Sequence, residues 1–395
     1  MRAGQTPHSM SPDLSMLTRP APSHRKRLAL VGHRVAGIET QFRNVATVAA
    51  SMPELEALPV PISPFKAGDL LERHFAFLSP ATRGTLRTLA AASAMFGYRR
   101  LDGVWTQVDV SLMPWLVAGA LGRQAPVLYT LDSTPRLLRQ LGPHYQMAVT
   151  RSAVKRAAKD LLMRNFYRRV ALFNPWSEWA AASLRDDYGI QESRIEVLSP
   201  GVDVAYWCPL DASAEVGPLR LLFVGGDFKR KGGDLLLAVY MQQLRGRVEL
   251  DLVTRERLPD LGPGVRVHND LSANDERLRE LYRRAQVFVL PTRADCYSMA
   301  ALEAMASSLP VIISPVGGIR GILDHGREGL YVRPDDGAGL TDAIRSLIDN
   351  RERRRAMAAA ARALAVRRYD AALNTRRLFQ RLLERSGDAR PLEQG

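Results

Sequence analysis

The chain contains only two cysteines, Cys208 and Cys296, far apart and without metal-ligand spacing, which excludes a disulfide scaffold and a thiolate metal cluster. A reducing, cytoplasmic setting follows as the expectation, and Cys296 is read as a small buried side chain rather than a nucleophile. Long apolar runs are also missing. The best candidates, 89–98 (LAAASAMFGY) and 112–121 (LMPWLVAGAL), reach half of the ~20 residues that a spanning helix needs. No apolar core follows the first charges, so the amino terminus is not read as a secretory signal. Neither G-x-G-x-x-G nor G-x-x-x-x-G-K-[ST] occurs, which removes the dinucleotide fingerprint and the Walker loop. Acids are in deficit: 41 Asp and Glu against 55 Lys and Arg give a net charge of +14. The first 200 residues hold 25 bases and 15 acids, so most of the excess lies there. That charge suits phosphate-bearing substrates or an anionic membrane surface. Nucleic acid is not expected, because no aromatic-basic platform accompanies the charge.

What is present fits a folded enzyme. With 395 residues, 46% apolar and 24% charged, the chain is too long for one core and implies two domains. Residues 1–27 are rich in Pro, Ser, Thr and Arg and read as a disordered tail, with Arg25-Lys26-Arg27 at its boundary. Buried strands are predicted at 28–32, 103–108, 126–131, 170–174 and 195–198 in the first half. Helices are predicted at 38–50, 151–169 and 177–187. The second of these carries a stripe at Val154, Ala158, Leu161, Leu162 and Phe166, read as core, and a basic face that an anionic membrane could hold. Residues 208–218 read as a linker. Strands at 219–225, 248–253, 265–268, 286–290, 311–313 and 329–332 follow, with helices at 234–244, 276–285, 299–307, 339–350 and 351–383, the last broken near Tyr369.

The organising stretch is Gln286–Ser314, QVFVLPTRADCYSMAALEAMASSLPVIIS. It reads as strand, loop, helix, strand. The loop lies at the carboxyl edge of a parallel sheet, where the next helix presents unpaired N–H groups and the positive end of its dipole. Asp295 in the loop and Glu303 in the helix, eight residues apart, can direct carboxylates to the two ends of an anion held between them. Upstream, Gly226-Asp227-Phe228-Lys229-Arg230-Lys231-Gly232-Gly233 joins a strand to a helix, a glycine-bearing basic loop suited to a diphosphate.

These residues resemble the signature of the family-4 (group 1) retaining glycosyltransferases of the GT-B fold: two acids with seven residues between them, an A-L-E-A-M-A helix and a P-V-I strand. The resemblance is strong over 225–336, fair over 173–203 and weak before that. It implies an α/β protein of two Rossmann-like, doubly wound parallel-sheet domains facing across a cleft. The expected divisions are an acceptor-binding domain at 28–205, a nucleotide-sugar domain at 206–368, and a helix at 369–388 that crosses back to the first domain. By the same resemblance Glu303 holds the ribose and Asp295 faces the transferred sugar, one methylene shorter than the usual Glu. Lys231 and Arg230 grip the diphosphate, although the family's Arg often stands where this chain has Gly226. Gly37, Ser298, Tyr297, Met299 and Gly226 complete the donor side. Asp132 and His144 are the acceptor-side candidates, since the family's His-Asp pair is here Leu131-Asp132. Arg320-Gly321 replaces the family's Pro-Glu after the G-G-I turn.

The implied function is transfer of a sugar from a UDP- or GDP-linked donor to a hydroxyl of a sugar, lipid-linked or small-molecule acceptor, in cell-surface polysaccharide or glycolipid synthesis. No cofactor and no metal is expected. The protein is placed in the cytoplasm, with the inner membrane face as a peripheral site. Two other readings use the same residues: a nucleotide-sugar epimerase or phosphorylase on this fold, or a non-catalytic GT-B-like binding module.

Overall fold

The computed structural model describes residues 25–33, 36–62, 101–107, 118–123, 125–145, 153–209, 218–273 and 275–386. The tail through 24, the linker residues 210–217, most of the apolar runs 89–98 and 112–121, and the last two residues of the expected 369–388 helix lie outside them.

The first sheet is built from β1 (Lys26–His33), β2 (Leu55–Ile62), β3 (Gly103–Gln107), β4 (Val127–Leu131) and β5 (Val170–Pro175). Its order is β2-β1-β3-β4-β5, and every pairing is parallel. Helices α1 (Ala36–Ala50), α2 (Pro135–Leu141), α3 (Ala153–Arg169) and α4 (Glu178–Tyr188) connect these strands or follow them. The central strands are buried on both faces, as the near-continuous apolar runs VLYTL and GVWTQ require.

The second sheet comprises β6 (Leu219–Val224), β7 (Val248–Val253), β8 (Val265–His268), β9 (Val287–Leu290), β10 (Val311–Ile313) and β11 (Gly329–Tyr331). Its order is β11-β10-β9-β6-β7-β8, again all parallel. This is the doubly wound order, in which β6 and β9 are neighbours although three connections separate them, so the chain winds outward from that point in both directions. The helices here are α5 (Gly233–Val239), α6 (Glu276–Arg284), α7 (Met299–Ala306), α8 (Gly337–Ile348) and α9 (Arg351–Arg368). One core of fully buried Leu, Ile, Val and Phe side chains lies beneath them. Each such side chain is worth roughly 1.5–3 kcal/mol against exposure.

The last helix, α10 (Ala371–Ser386), joins the core of the first sheet: Leu378, Phe379 and Leu382 are buried with Leu28, Leu30 and Trp105. The turn before it is pinned at the crossover. Tyr369 O accepts from Val202 N at 2.8 Å, and Ala371 N donates to Val202 O at 3.0 Å.

Several elements differ from the sequence expectations. Strand β2 was not anticipated, because LEALPVPI carries Pro59 and Pro61. Among the described residues β2 pairs on one side only, where a missing N–H costs no ladder bond. Residues 195–198 are not a strand: one isolated bridge joins Ile195 to Phe173. The helix expected over 234–244 divides into α5 and a π-helical turn at Tyr240–Leu244, where the Tyr240 hydroxyl donates to Val248 O at 3.1 Å. Of the stripe expected on α3, Phe166 is buried, Leu161 and Leu162 are not, and the side chains of Val154 and Ala158 lie outside the described residues. Met163, Phe166 and Tyr167 face the core, while Leu161 is 69% and Leu162 46% exposed. Lys26 and Arg27 belong to β1 and pair with Asp102 and Glu56, so that cluster is engaged within the sheet.

Candidate active site

The loops after β6 and β9 leave neighbouring strands at the point where the winding reverses, which is where such sheets open a crevice. The β6 loop turns at Gly232, whose φ of 78° is left-handed. A β-carbon there would stand 2.0 Å from Pro291 O, so only glycine lets this loop lie against the start of the next one. One backbone and one side-chain bond then register the two: Arg293 N donates to Arg230 O at 2.9 Å, and Arg230 Nη1 donates to Ala294 O at 2.8 Å.

This registration brings the two cations of one loop to the carboxylate of the other. Lys231 Nζ pairs directly with Asp295 Oδ2. Arg230 Nη1 stands 3.9 Å from Asp295 Oδ1, and its Nε is held by Asp227 at 3.0 Å. All three side chains are sheltered, with exposures of 13%, 15% and 7% for Arg230, Lys231 and Asp295. A sheltered pair of this kind is costly to break from one side, since the partner keeps its charge without its counter-ion.

Helix α7 begins next to this cluster. Ser298 caps it by accepting from Ala301 N at 3.3 Å, and Met299 at its first position is half-buried on the core. Glu303 is buried at 8% exposure, and the Tyr282 hydroxyl donates to its Oε2 at 3.0 Å. Burial pushes the Glu303 carboxyl up to about 7, against the lowering effect of that hydrogen bond. Tyr297 donates to Ser199 Oγ at 3.0 Å across the domain boundary and stacks edge-on against Trp176. The glycines of the G-G-I turn hold the motif loop from behind. Gly318 N donates to Cys296 O at 3.0 Å, and a β-carbon on Gly317 would lie 2.1 Å from Asp295 O.

The first sheet contributes from β4. Asp132 follows that strand, half-buried, with Ser133 Oγ donating to its Oδ1 at 2.9 Å. Burial raises the Asp132 carboxyl to about 6, and the charge of Asp295 across the cleft adds to the rise. The polar loop expected at 132–135 is short, because Thr134 caps helix α2 by accepting from Leu137 N at 3.3 Å, with Pro135 at the first position. Beyond α2, Tyr145 reaches the other domain. Its hydroxyl accepts from Cys296 N at 3.2 Å and lies 3.5 Å from Cys296 Sγ, while the Arg230 guanidinium sits 4.3 Å from its ring centre. Burial pushes the Cys296 thiol up to about 12, with Asp132 adding to it, so this sulfur is a neutral wall of the cleft.

The structure therefore gathers Asp295, Lys231, Arg230 and Asp132 around one cleft, with Glu303, Ser298, Tyr297 and Met299 on the adjoining helix and its entry. Gly226 is exposed at the start of the β6 loop, against the Arg255 side chain. Gly37 lies in the first turn of α1, past the carboxyl end of β1. His144 is exposed, and its side chain has no hydrogen-bond partner among the described residues; its neighbour Tyr145 is the one that crosses. Tyr145 was missed because a tyrosine after Gly-Pro-His carries no spacing signal. Among the described residues no group of three or more His, Cys, Asp and Glu side chains could hold a metal ion.

Comparison with known proteins matches two family models to successive parts of the chain: "Glycosyltransferase Family 4" over 23–206 and "Glycosyl transferases group 1" over 218–350. A D-inositol 3-phosphate glycosyltransferase of Pseudarthrobacter chlorophenolicus is 30% identical over 202 residues, 43% of this chain and 46% of that protein. A glycogen synthase of Mycobacterium tuberculosis is 28% identical over 184 residues, 43% of this chain and 44% of that protein. The chain thus spans about half the length of these curated relatives. Among solved structures, a sucrose-phosphate synthase of Thermosynechococcus elongatus superposes with a TM-score of 0.67 at 20% identity, over 91% of this chain and 100% of that one. Anabaena HepE, in complex with UDP-glucose, does so with a TM-score of 0.66 at 16% identity and the same coverage. These likenesses establish the two-sheet GT-B architecture.

Proposed function

The chain belongs to the family-4, group 1 glycosyltransferases, and from that premise we propose that it is a retaining enzyme moving a hexosyl unit from a nucleoside diphosphate, UDP- or GDP-linked, to an acceptor hydroxyl. The observation that carries the reading is the meeting of Lys231 and Arg230 with Asp295 at the winding reversal of the second sheet. Two sheltered cations that share one carboxylate form a ready site for a diphosphate, which brings more charge and more acceptor oxygens than Asp295 does. Residues 206–368 bind the donor and 28–205 the acceptor.

In the proposed step the bond from the anomeric carbon to the diphosphate oxygen breaks, and the acceptor oxygen bonds to that carbon on the same face. The acceptor proton passes to the departing phosphate oxygen. Lys231 and Arg230 stabilise the charge that develops there, aided by the positive end of α7. Asp295, released from its ion pairs, orients the sugar. Glu303 accepts from the ribose hydroxyls, and Asp132 lines the acceptor approach. No cofactor or metal enters the proposal. That the HepE structure holds UDP-glucose supports UDP as the first donor to try.

The test is a thermal-shift panel with UDP, GDP, ADP and their sugars on the wild type and Glu303→Ala. A nucleotide at ~100 times its Kd adds about 2.7 kcal/mol to the stability of the domain that binds it. A shift with one nucleotide, lost in the variant, is expected. No shift with any nucleotide would overturn the donor assignment. An epimer formed without acceptor, or a sugar phosphate formed with inorganic phosphate, would overturn transfer.

The placement proposed is cytoplasmic, on an anionic membrane face. Leu161 and Leu162 are exposed on α3, the helix that also carries the exposed Arg164, Arg168 and Arg169. Among the described residues no helix is long and apolar enough to cross a membrane. A lipid-linked acceptor in surface polysaccharide or glycolipid synthesis fits such a placement.

A further inference from the structure

A second cavity, of ≈ 740 Å³, opens between the domains behind the motif loop. Trp176, Glu178 and Trp179 of the first domain form one wall; Tyr297, Arg320 and Arg368 of the second form another. It adjoins the reaction cleft without belonging to it. Gly317, in its floor, rests on Asp295 O, and Trp179 Cη2 comes within 3.7 Å of where a β-carbon on Gly317 would be. The volume is that of a small-molecule site.

The chemistry of the lining is specific. Trp176 and Trp179 both line it, and aromatic side chains pack on the C–H faces of sugar rings. Arg368 is fixed in place, donating to Gly321 O at 3.2 Å with its guanidinium 5.5 Å from the Tyr369 ring centre. Arg320 is exposed and makes no hydrogen bond or ion pair among the described residues. The single carboxylate of the lining, Glu178, is paired with Arg185 at 3.2 Å. Two arginines therefore line the cavity beside one carboxylate that is already paired.

We propose that this interdomain cavity is a second binding site that takes an acidic sugar, its ring against the tryptophans and its anion on Arg320 and Arg368. The proposal takes from the function above only that the substrates are saccharides. Because its walls come from both domains, a ligand here bridges them.

The test is calorimetric titration of the full chain with glucuronate, glucose 6-phosphate and glucose, each with and without saturating UDP. Either acid is expected to bind saturably with UDP present, at least 10-fold tighter than glucose. Arg320→Ala is expected to weaken it at least 5-fold and Arg320→Lys to restore part of the loss. Tighter binding of glucuronate assigns a carboxylate, and of glucose 6-phosphate a phosphate ester. Absence of saturable binding by both acids, binding unchanged in Arg320→Ala, or displacement of the acid by UDP would each overturn the proposal. UDP titrated alone reads the donor site in the same samples, so failure of the donor assignment is seen separately.

Discussion

The two sheets meet the cleft with different electrostatics. The second sheet brings charges already matched: Lys231 and Arg230 against Asp295, with Arg230 also held by Asp227. The first brings an acid and a phenol without a cation of their own. Asp132 is raised by burial and by Asp295, and Tyr145 must borrow the Arg230 guanidinium from the opposite domain. One side is thus a matched cluster of cations and carboxylates, and the other carries an acid bonded within its own domain and a phenol that reaches across. Preorganisation matters most where charge develops during reaction, which places the larger functional weight on the second sheet.

The sharpest way to break this comparison is to remove one cation. Lys231→Ala is expected to lower kcat by about 10²–10³-fold, on the scale of one lost charge-stabilising donor. Asp132→Asn should cost markedly less. Single-turnover rates on both variants check the order, and equal losses would show that the two sheets share the burden.

Next in size is the pH response of Glu303. Its carboxyl is raised from the usual 4.5 to about 7, so the folded protein holds a proton there that the unfolded chain has given up. The contribution of this group to stability is expected to be fully present below 4.5, to fall as pH rises towards 7, and to level off above it. The full cost is about 3 kcal/mol for a buried group shifted this far. Glu303→Gln should remove this contribution from the slope in urea melts, while that of Asp132 between 3.8 and about 6 remains. If Glu303 holds the ribose as proposed, nucleotide affinity should run the other way and rise through pH 7, because the ionised carboxylate is the better acceptor.

Gly232→Ala tests the registration of the two loops. The left-handed φ and the 2.0 Å approach to Pro291 O predict a loss of at least ~2 kcal/mol in chemical denaturation, with donor binding impaired beyond that loss. Tyr145→Phe is the mildest change. Removing the hydroxyl that accepts from Cys296 N should cost about 1 kcal/mol and raise KM more than it lowers kcat, because the effect falls on closure. A change in kcat alone would place Tyr145 in the chemistry instead.

Much of the second domain was legible from the chain. Strands β6 and β9 are short, largely apolar runs followed by Gly225 and Pro291, and the site residues sit in the loops and helix starts that follow them. Ser298 as a cap, Lys231 before Gly232 and Glu303 on the helix all follow from residue type and spacing. The first domain was less legible for stated reasons. Pro59 and Pro61 concealed an edge strand. Thr134-Pro135 was a helix start within a segment read as loop. On α3, spacing alone selected Leu161 and Leu162 for the core when the buried face is turned towards Met163 and Phe166.

The sequence by itself determined the class of fold, the paired acids and the basic loop that faces them, because turn chemistry and hydrophobic period act over a few residues. Only the tertiary structure decided that Tyr145 meets Cys296, that Asp132 feels Asp295, and that Trp176, Trp179 and Arg320 line one cavity. Those juxtapositions depend on how two independently wound sheets are set against each other by the crossover at Val202 and Asp370 and by α10. The relative placement of rigid bodies is fixed by the sum of many packed side chains, and no short run of residues carries it.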